Sequence, residues 1–122
     1  MWEFLKRWLV HWRREDQTRP YYRHHVFFCT NVRDPQAKRP SCGRCGAEAA
    51  RDYAKRRIKE LGLAAPGQVR INQAGCMERC EQGPALVIYP QGTWYRYHNE
   101  QDVEEIIQQH ILGGRIVERL LI

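Results

Sequence analysis

The sequence predicts an α/β fold: a mixed four-stranded sheet with helices packed on it. Three observations predict it. Short apolar blocks at 24–29, 68–72, 85–90 and 93–97 have the length and β-branched or aromatic content of strands. Between the first two blocks, apolar residues recur at spacings of three and four, as on one face of a helix. A strand, a crossover helix and a second strand form a right-handed parallel unit.

Each element has its own signal. "HHVFFC" (24–29) carries the apolar run Val26, Phe27 and Phe28 of a buried strand. "TNVRDPQAKRPS" is polar, holds two prolines and must be a loop. From Gly46 the pattern turns helical through Ala47, Ala50, Ala54, Ile58 and Leu61, and Gly62 suits the position just past the helix end. "QVRIN" (68–72) alternates as a strand, and "QAGCMERCEQGP" is a loop bounded by Gly75 and Gly83. "ALVIYP" and "TWYRY" form a hairpin joined at Gln91-Gly92. "NEQDVEEIIQQHI" is a second helix, capped by Asn99, acidic in its first turns and stopped by Gly113-Gly114. "RIVERLLI" is apolar enough to dock on the domain.

Ahead of this domain (21–122) lies an extension, 1–20. Its residues 2–14 read as an amphipathic helix. At ~100° per residue, Trp2, Phe4, Leu5, Trp8, Leu9 and Trp12 fall within roughly 160° of arc, opposite Lys6, Arg7, Arg13 and Arg14. Such a face packs on its own domain, on a second copy, on a partner protein, or on a membrane surface with arginines toward anionic lipid.

The chain has 122 residues and a net charge of +6. That charge is uneven: residues 1–60 sum to +8 and residues 61–122 to −2. A basic half suits an anionic partner or a solvated helix face carrying Arg51, Lys55, Arg56 and Lys59. No nucleic-acid recognition motif accompanies it. No apolar run is long enough to span a bilayer. The first dozen residues lack a clear signal-peptide core and cleavage site, so the expected location is the cytoplasm, where thiols stay reduced.

Five cysteines in such a chain point to metal or redox chemistry. The topology draws them together. Cys29 ends the first strand, Cys42 and Cys45 sit where the crossover helix begins, and Cys76 and Cys80 follow the parallel second strand. All lie at the carboxyl ends of the strands, where open α/β sheets bind ligands. The helix start there adds partial positive charge that favours thiolate. Three readings fit. A thiol–disulfide oxidoreductase would use Cys42 and Cys45. A zinc-held interaction module would pair 42–45 with 76–80. A [2Fe–2S] cluster would take four cysteines, and Cys29, Cys42, Cys76 and Cys80 are available for it.

Cys29-x12-Cys42 followed by Cys76-x3-Cys80 resembles the ligand pattern of the thioredoxin-like [2Fe–2S] ferredoxins. "HVFFC", "SCGRCGA", "GCMERCEQGPALVIYPQGTWY" and "VEEIIQQHILGG…VERLLI" are similar to that family's segments. The resemblance covers about residues 24–122. It implies a thioredoxin-like fold, a homodimer, one-electron transfer between redox partner proteins, and ligation by Cys29, Cys42, Cys76 and Cys80. Cys45 falls where the family requires no cysteine, and the N-terminal extension lies outside the common pattern. His24 and His25 fall at the far end of the first strand and read as surface or core residues. Main-chain N–H groups of 76–83 are expected to point at sulfur. Arg44 and Arg79 would place positive charge at the rim, opposed by Glu78 and Glu81. Met77 and Glu78 are candidates for a docking contact.

Overall fold

The computed structural model describes residues 19–32, 34, 36, 38, 42, 46–79 and 82–122. The helix expected over 2–14 lies outside the described residues, as do Arg44, Cys45, Cys80 and Glu81. The elements are β1 (His24–Cys29), α1 (Ala47–Glu60), β2 (Val69–Ala74), β3 (Ala85–Tyr89), β4 (Thr93–Arg96) and α2 (Glu100–Ile106). The sheet order is β2-β1-β3-β4, with β1 parallel to β2 and the other neighbours antiparallel. The mixed four-stranded sheet expected from the sequence is present. β2 runs two residues beyond its expected end because it pairs along the whole of β1, up to Cys29 opposite Ala74.

Alternation along the strands sorts the side chains onto two faces. Val26, Phe28, Val69, Ile71, Leu86, Ile88 and Tyr95 meet both helices on one face. From α1 come Ala50, Ala54 and Ile58; the small alanines let the helix lie close to the sheet, and Ile58 fills its far end. From α2 and the turns beyond it come Val103, Ile106, Ile107 and Ile111. Full burial of one such Ile, Leu or Phe stabilises by about 1.5–3 kcal/mol. The ion pair that ties α1 to α2, Arg57 Nε to Glu104 Oε1 at 2.5 Å, is open to solvent screening and adds little. Burial therefore sets the docking of the helices, and the pair trims it. The Arg57 hydrogen bond still holds the Glu104 carboxyl at about 2.

The opposite sheet face carries His25, Phe27, Val87, Tyr89 and Trp94. Phe27 pairs with Val87, and Val87 with Trp94, in one row across three strands. Ring contacts run along it from Tyr22 to His25 (4.8 Å), to Phe27 (4.1 Å) and to Tyr89 (6.1 Å). Apart from Ala47 at the Cys29 end, neither described helix packs on this face.

Asn99 caps α2 as expected, accepting the Asp102 N–H at 2.9 Å. The chain then widens into π-helical turns over Ile107–Leu112. The two glycines end them for separate reasons. A Cβ at Gly113 would lie 2.7 Å from the Gln109 carbonyl oxygen, and Gly114 has φ 67°. The C-terminal segment docks on the β4 edge: Val117 and Leu120 are buried, and the Ile122 N–H donates to the Trp94 carbonyl at 3.2 Å. Arg119 braces it against Asp102 at 2.6 Å. Burial pushes the Asp102 carboxyl up, but hydrogen bonds from Arg119 and His98 outweigh it and hold the group below its ordinary value.

At the end of the sheet where β1 begins, His24 and His110 are buried with ring centroids 5.8 Å apart. The Tyr95 hydroxyl accepts the Val117 N–H at 3.1 Å and lies 2.6 Å from His110 Nδ1. The hydroxyl is thus shared between the Val117 N–H and the His110 ring. Among the described residues, His24 Nδ1 has no hydrogen-bond partner. Desolvation lowers both histidines below 6.5, helped by Arg23 for His24 and by His24 for His110. The unfolded chain thus binds these protons at higher pH than the folded one does. Stability is full above about pH 6.5 and falls as pH drops below it, by at most about 1.4 kcal/mol per pH unit for each histidine. Urea unfolding between pH 8 and 5.5 should show this loss, and His24→Leu should flatten part of the slope.

Candidate metal centre

Because β1 and β2 are parallel and joined through α1, three chain points meet at one sheet edge: the end of β1, the start of α1 and the end of β2. Cys29 closes β1. Gly46, in the left-handed conformation at φ 84°, turns the chain into α1 four residues after Cys42. Cys29 and Cys42 are each 1% exposed and share one small apolar cluster with Ala47 and Ala85. Met77, Trp94 and Ile122 wall it. No disulfide joins Cys29 to Cys42.

Cys76 comes to the same edge by way of Ala74, the last residue of β2, and Gly75. It is exposed, on a loop whose next residue, Met77, packs on the buried pair. Glu78 has φ 67°, a left-handed conformation that costs a non-glycine residue about 1–2 kcal/mol. The curl turns its N–H back onto Cys76 Sγ at 3.3 Å. One N–H of the loop therefore does point at sulfur. Further along, Arg79 lies with its guanidinium carbon 5.1 Å from the Trp94 ring centre. Its Nε donates to Gln82 Oε1 at 2.9 Å, and the Gln82 N–H returns a 3.0 Å bond to the Arg79 carbonyl.

Of the four candidate ligands, two are brought together, the third stands at the same edge and the fourth, Cys80, is outside the described residues. Among the described residues, no three His, Cys, Asp or Glu side chains gather around one metal position. His24 and His25 lie at the far end of β1, His24 beside His110 and His25 with Nε2 3.0 Å from Asn72 Oδ1. Both are structural, as expected. Met77 is half-buried and Glu78 exposed, so of the two docking candidates only Glu78 stands well out in solvent.

The donor set suits a soft metal centre: sulfur alone, mostly shielded by apolar walls. It suits thiol exchange poorly. A reactive thiol is partly exposed in electropositive surroundings, and Cys42 is buried among apolar side chains. Trp94 and Ile122 were not among the sequence candidates. Alternation along β4 was the available signal for Trp94, since it puts that residue on the face of Cys29. Nothing local marks Ile122, which reaches the site only because the tail returns along β4.

A mixed sheet with cysteines gathered beyond its two parallel strands fits the thioredoxin-like class of α/β proteins. No family model matches the chain. Curated relatives do. A "Ferredoxin, 2Fe-2S" of Clostridium pasteurianum is 36% identical over 101 residues, 82% of this chain and 96% of that protein. One of Aquifex aeolicus is 37% identical over 98 residues, 80% and 87% of the two chains. The solved thioredoxin-like [2Fe–2S] ferredoxin of Aquifex aeolicus superposes with a TM-score of 0.74 at 35% identity, covering 83% of this chain and 97% of that one. Two solved variants of that protein each replace one cysteine by serine, at positions four apart. The chain belongs to the thioredoxin-like [2Fe–2S] ferredoxins. Ferredoxins are electron carriers rather than enzymes, which displaces the oxidoreductase and zinc-module readings of the cysteines.

Proposed function

We propose that Cys29, Cys42, Cys76 and Cys80 hold one [2Fe–2S] cluster per chain, and that the protein passes single electrons between redox partner proteins. The observation that carries this reading is the shared burial of Cys29 and Cys42 at the edge where β2 delivers Cys76. The four-residue step from Cys76 to Cys80 matches the step between the cysteines replaced in the solved relative. When bound, the cluster supplies one-electron oxidation and reduction. The protein's residues do the rest. Met77, Trp94 and Ile122 keep water from the inner thiols, and the Glu78 N–H offsets negative charge on the Cys76 sulfur. The exposed Cys76 loop leaves a short path to a partner.

Anaerobically purified protein should be red-brown, bleach on reduction and give an S = 1/2 EPR signal. Cys29→Ser, Cys42→Ser, Cys76→Ser and Cys80→Ser should each lose or alter that spectrum, and Cys45→Ser should keep it. Loss with Cys45→Ser and retention with Cys29→Ser would overturn the assignment.

The particle is a homodimer. The aromatic sheet face that neither described helix covers supports this, since a second copy would bury Phe27, Tyr89 and their neighbours. Sedimentation equilibrium should give twice the 14.5 kDa of one chain, and Phe27→Glu should reduce it to one.

The protein works in the cytoplasm as a 21–122 domain with a 1–20 extension that touches the inner membrane face. Among the described residues no helix is long and apolar enough to cross a membrane. The basic, tryptophan-rich segment 2–14 supports a surface contact. Anionic vesicles should retain the full chain and release a version lacking residues 1–20; equal binding of both would remove this reading.

A further inference from the structure

Arg79 is a cation with an unusual seat. Its guanidinium lies against the Trp94 ring, and its Nε is held by Gln82. Trp94 in turn walls the cluster that contains Cys29 and Cys42. The row Phe27–Val87–Trp94 crosses three strands and sets the register at which Trp94 stands. An arginine on a surface loop ordinarily swings through water. This one is anchored by two partners to the wall of the site, one residue before Cys80.

We propose that Arg79, positioned by Trp94, raises the reduction potential of the centre. The inference rests on the four-cysteine reading above. With four thiolates, the oxidised centre carries two negative charges, and taking up one electron from a reductant adds a third. A fixed cation beside it stabilises the reduced form more than the oxidised form, so the potential rises. Glu78 and Glu81 oppose it from the same stretch of chain, and of these two Glu78 is among the described residues. Position decides between Glu78 and Arg79. Glu78 is exposed, whereas Arg79 is half-buried against an aromatic face. At equal distance, a charge held against protein acts about four times more strongly than one surrounded by water. The Arg79–Trp94 contact biases where the guanidinium rests.

The test is an anaerobic redox titration of the full-length protein carrying its cluster, with dithionite as reductant, followed optically and by EPR. Arg79→Gln should move the midpoint to more negative values with the EPR line shape retained. Arg79→Lys, which keeps the charge, should recover part of the shift. Trp94→Leu should shift the midpoint in the same direction, because the freed guanidinium spends its time in water. An unchanged or more positive midpoint in Arg79→Gln overturns the proposal. Should Arg79→Gln fail to hold a cluster, an unchanged midpoint in Trp94→Leu overturns it instead. A wild-type protein with no red-brown chromophore would defeat the four-cysteine reading, a result distinct from either of these.

Discussion

Parallel pairing of β1 with β2 is the constraint from which the site follows. Two strands that run the same way need a crossover, and α1 supplies it. The crossover returns the chain to the start of the sheet, so β1 and β2 both end at the edge where α1 begins. Cys29, Cys42 and Cys76 are then neighbours of that edge, although 47 positions separate the first from the last. An antiparallel β2 would carry Cys76 to the opposite end of the sheet. The hydrophobic face under α1 and α2 enforces the arrangement, because Val26, Phe28, Val69 and Ile71 meet Ala50, Ala54 and Ile58 only in this register.

The two ends of the sheet are built for different purposes. At the cysteine end, the small Ala47 and Ala85 pack with Cys29 and Cys42, Met77, Trp94 and Ile122 lie against them, and the Glu78 N–H turns onto the Cys76 sulfur. At the other end, His24, His110 and Tyr95 form a buried polar group whose neutral state belongs to the folded protein. Titration of the histidines and redox chemistry at the sulfurs are thus separated by the length of β1.

Much of this was legible beforehand. β1 was readable to the residue, since Val26, Phe27 and Phe28 lie between a polar loop and a cysteine. The α1 face was readable from its alanine spacing, and the stop after Leu112 from two consecutive glycines. The placing of Cys29, Cys42 and Cys76 at one edge followed from the parallel crossover. The full length of β2 was not, because its last residues are held by pairing with β1 rather than by their own alternation. Nor were the π-helical turns over Ile107–Leu112, where the sequence shows only a continued helix.

By itself, then, the sequence determined the order and kind of the elements, the mixed sheet and the edge at which the thiols collect. These depend on local periodicity and chain handedness, which backbone geometry imposes everywhere alike. Tertiary structure alone decided which sheet face α1 and α2 pack on, that Ile122 walls the site, and that Arg79 rests on Trp94. Those meetings depend on strand register, in which a slip of one residue sends every side chain to the opposite face.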